Sequence, residues 1–169
     1  MRTQSWYVGI GAAIIAVALP AAAIASGAGN PEEYGAYIHA GTCSKIESRA
    51  LFDIGDLEVE RGPRAAEAAE LPGSGPVYEG DEEISATLSE LTASPHMVVV
   101  RERGDPSSQV IACGAIQGEI SNDQLQTTLE PTGDSGVRGT ALFRPNTDRD
   151  DNEPTEVIVR VRHGATDGS

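Results

Sequence analysis

Few side chains in this sequence could carry chemistry. The three histidines, His39, His96 and His163, are its only imidazoles, and imidazole nitrogens bind copper and zinc when two or three of them converge. The metal expectation is therefore a copper or zinc site that His39 shares with His96 or His163. The competing expectation is that His39 is a barrel histidine, hydrogen-bonded near Gly41. Asn146, Asp148, Asp150 and Asn152 place an oxygen at every second position before Pro154, a spacing that can wrap calcium. However, Glu153 stands where an EF-hand loop needs glycine, and Val159 where it needs a bidentate glutamate. A solvated hairpin loop is the preferred reading of Asp148, Asp150 and Asn152.

The remaining chemistry is in two cysteines, Cys43 and Cys113. Arg2 supplies a positive start, Trp6 to Ala25 carry no charge, Pro20 breaks the apolar run, and Ala23-Ile24-Ala25 precedes Ser26. This is the pattern of a signal peptide over 1–25, cleaved after Ala25. Retention as a membrane anchor is the alternative, since about 20 uncharged residues can span a bilayer. In an exported chain an even cysteine count reads as a disulfide. Pairing Cys43 with Cys113 closes a loop that the chain-entropy model values at about 4 kcal/mol, less any native strain. The charge is one-sided, with 26 acidic residues against 12 basic ones and a net charge of -14. Such a surface repels nucleic acid and anionic lipid, leaving cations and basic proteins as possible partners, or acidity that serves solubility alone.

The elements that hold these residues read as short strands. After a linker over 26–33, Tyr34 to His39 is a strand with Tyr37 and His39 on one face. Ala50 to Val59, interrupted by Asp53 and Gly55, reads as loop with one short strand. Arg61 to Gly80 reads as a long surface excursion containing an Ala/Glu patch. Glu83 to Leu88 alternates as a strand, with Ile84, Ala86 and Leu88 on one face, and Ser89 to Pro95 turns the chain. His96 to Arg103 is the most strand-like run and Val110 to Ile116 its partner. Leu125 to Leu129, Val137 to Phe143 and Thr155 to Arg162 follow, the last with Val157, Val159 and Val161 inward. Beyond Gly164 the tail over 164–169 reads as disordered. About seven short strands with Gly, Pro and Asp turns predict an all-β, antiparallel Greek-key sandwich or barrel in one domain over 34–163.

His39, Gly41, Thr42 and Cys43, then Val98-Val99-Val100-Arg101-Glu102, then Ala112-Cys113-Gly114 and Ile116 resemble, in order and spacing, the copper/zinc superoxide dismutases and their chordin-domain-like bacterial relatives. The resemblance covers roughly Tyr34 to Ile120 and implies a Greek-key barrel whose two cysteines are bonded. The dismutase barrel has about three strands before its His-x-His strand, and the mature chain expected after cleavage has only a few polar residues there. Gln124 to Glu130, Gly136 to Phe143 and Val157 to Val161 resemble those opening strands, so the resemblance implies a circular permutant, with 121–163 supplying them. Close surface termini make such a permutation sterically cheap.

The same resemblance argues against the dismutase reaction. Tyr37 stands at the first ligand position of the His-x-His strand, Arg101 at the ligand after Val-Val, and Ser44 to Pro95 contains no histidine. Only His39 falls on a ligand position, whereas copper redox cycling needs a cage of imidazoles. Gly133-Asp134-Ser135-Gly136 is similar to the serine motif of trypsin-like proteases, but Val137 follows where that family has glycine, and the chain is too short for two barrels. The expectation is an exported, non-catalytic dismutase-like module, with no cofactor, that binds a protein or cell-surface component. The alternative is a protein that binds or sequesters copper or zinc at a degenerate dismutase site.

Overall fold

The structure is a computed structural model that describes residues 34–47, 49–61, 71–73, 75–102, 108–146 and 154–164. The signal segment, the linker, the Ala/Glu patch, the tail after Gly164 and the calcium candidates Asp148, Asp150 and Asn152 lie outside the described residues. The described residues belong to one compact unit. They form nine strands and one short helix: β1 (Tyr34–Thr42), β2 (Lys45–Ile46), β3 (Phe52–Val59), β4 (Tyr78–Ile84), α1 (Leu88–Ala93), β5 (His96–Glu102), β6 (Val110–Ala115), β7 (Leu125–Pro131), β8 (Val137–Pro145) and β9 (Thr155–His163).

Alternation of apolar and polar residues decides which side of each strand faces inward. Leu125 and Leu129 of β7, Val137, Ala141 and Phe143 of β8, and Val157, Val159 and Val161 of β9 are all buried in one core with Ala36, Ile38, Val98 and Val100. The strands run in the order β1-β3-β4-β9-β8-β7-β6-β5, and β5 pairs back onto β1. Eight antiparallel strands thus close a barrel, which removes the free sheet edges that invite aggregation. The ninth strand, β2, is a short hairpin on the end of β1.

The closure is uneven. β3 and β4 share only the pairs Glu58↔Glu79 and Val59↔Tyr78, and β6 and β7 only Ala112↔Pro131 and Cys113↔Glu130. The barrel is therefore flattened into two four-stranded sheets, β3-β1-β5-β6 and β4-β9-β8-β7, joined along two narrow seams. Although β3 and β4 separate β1 from β9 in the sheet, Tyr34 Oη lies 2.9 Å from His163 Nε2. The start of β1 and the end of β9 therefore meet at one end of the barrel.

Two sequence expectations are corrected. Ala50 to Val59 is not loop with a short strand, since Phe52–Val59 is one strand of eight residues. Its breaks are a bulge: Ala36 pairs with Gly55 and Tyr37 with Asp53, which leaves Ile54 as the extra residue. Gly55 takes a φ of 91°, and its N–H donates to Asp53 Oδ1 at 2.9 Å. The residues that looked like loop chemistry instead bend the strand so that Ile54 and Leu57 both reach the core.

Nor is Glu83 to Leu88 a strand. β4 begins five residues earlier and ends at Ile84, and Thr87 caps α1. The Glu90 N–H donates to Thr87 Oγ1 at 3.2 Å, and the Thr87 N–H donates to Glu90 Oε2 at 2.8 Å, a reciprocal capping box. The helix sets buried Leu91 in the core cluster. β4 itself is polar over Glu79 to Glu83, and its strand form comes from seven paired residues along valine-rich β9.

At the β6–β7 seam, Gly114 is buried with no room for a side chain: a Cβ there would run into the Thr128 carbonyl oxygen and Leu129. Gly114→Ala is expected to lower stability by about 1–3 kcal/mol, the usual cost of overpacking. A fall in the denaturant midpoint at unchanged m-value would show it.

Candidate functional site

The residues singled out for chemistry meet on the outside of the barrel, over β1, β5 and β6. Pairing between β1 and β5 sets His39 opposite Met97, Tyr37 opposite Val99 and Gly35 opposite Arg101. Pairing between β5 and β6 sets Val99 opposite Cys113. Because Ile38, Val98 and Val100 face the core, their neighbours His39, Met97 and Val99 face outward. An outward face of a barrel is ordinarily wet, yet Met97 and Val99 are fully buried and His39 is 2% exposed.

The loop after β1 accounts for that burial. Cys43 bonds to Cys113, with Cα atoms 5.9 Å apart and a sequence separation of 70. The Leu51 N–H donates to the Ile38 carbonyl at 2.7 Å, which ties down the far end of the loop. Between these anchors Ile46 packs on Met97, Val99 and Cys113, making a small second core outside the barrel. Cys113 Sγ rests 3.8 Å from Met97 Sδ.

Within this covered patch neither ring nitrogen of His39 makes a hydrogen bond of good geometry, although the backbone of Glu47 and Arg49 lies near enough to favour its protonated form. Burial pushes its pKa down, and the Arg101 guanidinium adds to that effect, while nearby backbone of Glu47 and Arg49 and the Glu47 carboxylate pull the other way. Tyr37 lies edge-on to the His39 ring with ring centroids 6.4 Å apart. The Tyr37 hydroxyl is raised in pKa by burial and by Asp53 and Asp56, against a lowering from Arg101. Arg101 donates from Nη1 to the Ser108 carbonyl at 2.6 Å.

The other two histidines lie elsewhere. His96 sits at the start of β5 opposite Ala40, with Nδ1 2.9 Å from the Leu91 carbonyl oxygen, on the strand face away from Met97 and His39. His163 ends β9 against Tyr34, and Tyr34 pairs with Glu102 at the other end of β5. Six residue steps along the strand separate these ends, roughly 20 Å. His39, His96 and His163 do not converge, and among the described residues no group of three His, Cys, Asp or Glu could hold a metal ion. On the dismutase resemblance a copper cage would need imidazoles where Tyr37 and Arg101 stand, and neither residue supplies one.

Ser135 belongs to the turn between β7 and β8, where its hydroxyl donates to the Ile111 carbonyl at 2.5 Å and accepts from the Val137 N–H at 3.3 Å. That is turn chemistry, and β5 and β6 stand between this turn and β1. A concavity of 440 Å³ lies over β7, β8 and β9 beside Leu71 and Pro72, lined by Thr128, Thr140, Arg138 and Arg160. Both guanidiniums there already meet carboxylates, Arg138 on Glu130 and Arg160 on Glu79.

Sequence reasoning missed Met97, which reads as one more apolar residue of a strand. Its position shows only once the register across β1 and β5 is known. Comparison with protein-family models, with curated proteins and with solved structures finds no match to this chain.

Two outcomes are expected. A histidine whose pKa is lower folded than unfolded stabilises the fold above its unfolded value, and that contribution is lost as pH falls through the folded value. The denaturant midpoint should therefore drop on acidification below about pH 6.5, the unperturbed histidine value, and His39→Phe should flatten that drop. Reducing the disulfide should lower stability by up to about 4 kcal/mol, read as a lower thermal midpoint for the reduced chain than for the oxidised one.

Proposed function

We propose that this chain is an exported, non-catalytic β-barrel module of the dismutase-like kind, circularly permuted, that binds a protein or cell-surface component. The single observation carrying this reading is the state of the outer face of β1 and β5. Where a dismutase would gather imidazoles, His39 is the single imidazole, buried opposite Met97 and edge-on to Tyr37. The Arg101 guanidinium, which acts electrostatically on His39, repels a divalent cation and cannot ligate one.

The permutation is supported by the strand order. β7, β8 and β9 fill the gap between β6 and β4, the place left open by a chain that begins at β1. The contact of Tyr34 with His163 supplies the close termini that permutation requires. Export is supported by the disulfide, since such bonds persist in oxidising compartments. The net charge of -14 favours a basic or neutral partner over nucleic acid. A copper or zinc site made from the three histidines finds no support in their separate positions.

The test uses the exported, disulfide-bonded chain. It is expected to leave the decay of superoxide at the rate of buffer and to hold copper(II) and zinc at well below one ion per chain by elemental analysis after dialysis. Stoichiometric binding of either ion, abolished by His39→Ala, would overturn the reading.

A further inference from the structure

The oxidised barrel hides a set of donors different from the histidines. We propose that opening the Cys43–Cys113 disulfide uncovers a site in which the Cys113 thiolate, the Met97 thioether and the His39 imidazole bind one copper(I) ion. This goes beyond the module reading and does not depend on it, since that reading concerns the disulfide-bonded chain.

Three observations converge. The first is the sulfur spacing: Cys113 Sγ and Met97 Sδ are 3.8 Å apart, both on the outward side of neighbouring strands. Two sulfurs that far apart, each about 2.3 Å from one metal ion, subtend an angle of about 110° at it. That is an ordinary angle for a three- or four-coordinate ion. The second is the register, which sets His39 directly across from Met97, so their Cβ atoms fall within about 5.5 Å. The third is His39 itself, 2% exposed with neither ring nitrogen in a hydrogen bond of good geometry. A buried polar group without a partner is costly, and a metal ion would give it one.

The donor set selects the ion. Thiolate and thioether are soft ligands that favour copper(I), and thioether is not among the usual zinc donors. Charge points the same way: copper(I) on one thiolate is neutral overall, whereas zinc would leave a net positive charge in an apolar patch beside Arg101. The disulfide controls access twice, because Cys113 Sγ is in the bond and Cys43 anchors the loop carrying Ile46 over the patch.

The chemistry balances with a dithiol as reductant. The dithiol gives two electrons and two protons to the Cys43–Cys113 bond, which becomes two thiols, and is itself oxidised to a disulfide. Copper(I) then displaces the Cys113 thiol proton to solvent, and the copper stays in its +1 state throughout.

The experiment compares the oxidised full chain, the dithiol-reduced chain and Cys43→Ser, which leaves the Cys113 thiol free without a reductant. Each is titrated under argon with copper(I) supplied as its bicinchoninate complex. The oxidised chain is expected to remove no copper from the dye, and the other two one ion per chain. In the Cys43→Ser background, Met97→Leu or His39→Phe should weaken binding by at least about tenfold, since each removes one of three donors. Copper X-ray absorption should show two sulfurs and one nitrogen before these changes, and one sulfur fewer or no nitrogen after them. Equal binding by the oxidised chain would overturn the proposal. So would affinity and coordination unchanged in both variants, or loss of slow strand-amide hydrogen exchange in copper-loaded Cys43→Ser.

Discussion

Seven consecutive pairs between β1 and β5, from Tyr34↔Glu102 to Ala40↔His96, turn an open eight-stranded sheet into a barrel. Without them, β1 and β5 would both be edges exposing unpaired backbone groups, and the core residues they carry would face water. The same register decides what lies outside. A shift by one residue would send His39 and Met97 into the core and Ile38 and Val98 out. The closure is thus both the main constraint on the fold and the device that brings the chain's unusual side chains together.

Closing the barrel on narrow seams leaves it dependent on what crosses them. At β6–β7 only two residue pairs join the sheets, and Cys113 is one of the residues in them. The disulfide therefore leads from a weak seam to the loop that covers the outer face. That loop turns three residues of an ordinary barrel exterior into a second dry core. Burial also lowers the pKa of His39 and, with Asp53 and Asp56, raises that of Tyr37.

Much of the architecture could be read from particular residues. Val157, Val159 and Val161 alternate so cleanly that β9 and its inward face are legible without a structure, and Val98 to Val100 mark β5 by β-branching alone. The cysteine pairing followed from a count of two. The errors came where local chemistry has two meanings. Asp53 and Gly55 look like a loop, but here they make a bulge, and Ile84, Ala86 and Leu88 alternate although Thr87 and Glu90 form a capping box between them. β4 carries five consecutive polar or glycine positions, Glu79 to Glu83, and becomes a strand only because β9 lies beside it.

The candidate site divides along the same line. Residue identity by itself determined which chemistry is scarce: three imidazoles, two sulfurs that can pair, no histidine between Ser44 and Pro95, and an arginine after the valine run. Those facts depend only on composition and order, so they were available before any folding. Tertiary structure alone decided that His96 and His163 belong to other places in the barrel, that His39 is buried without a hydrogen bond of good geometry, and that Met97 lies across from it and against Cys113. Such neighbours depend on strand register between segments nearly 60 residues apart, and on a loop drawn over them by a covalent bond. No local pattern encodes either, because period-two alternation tells a residue's face but not which residue it will face.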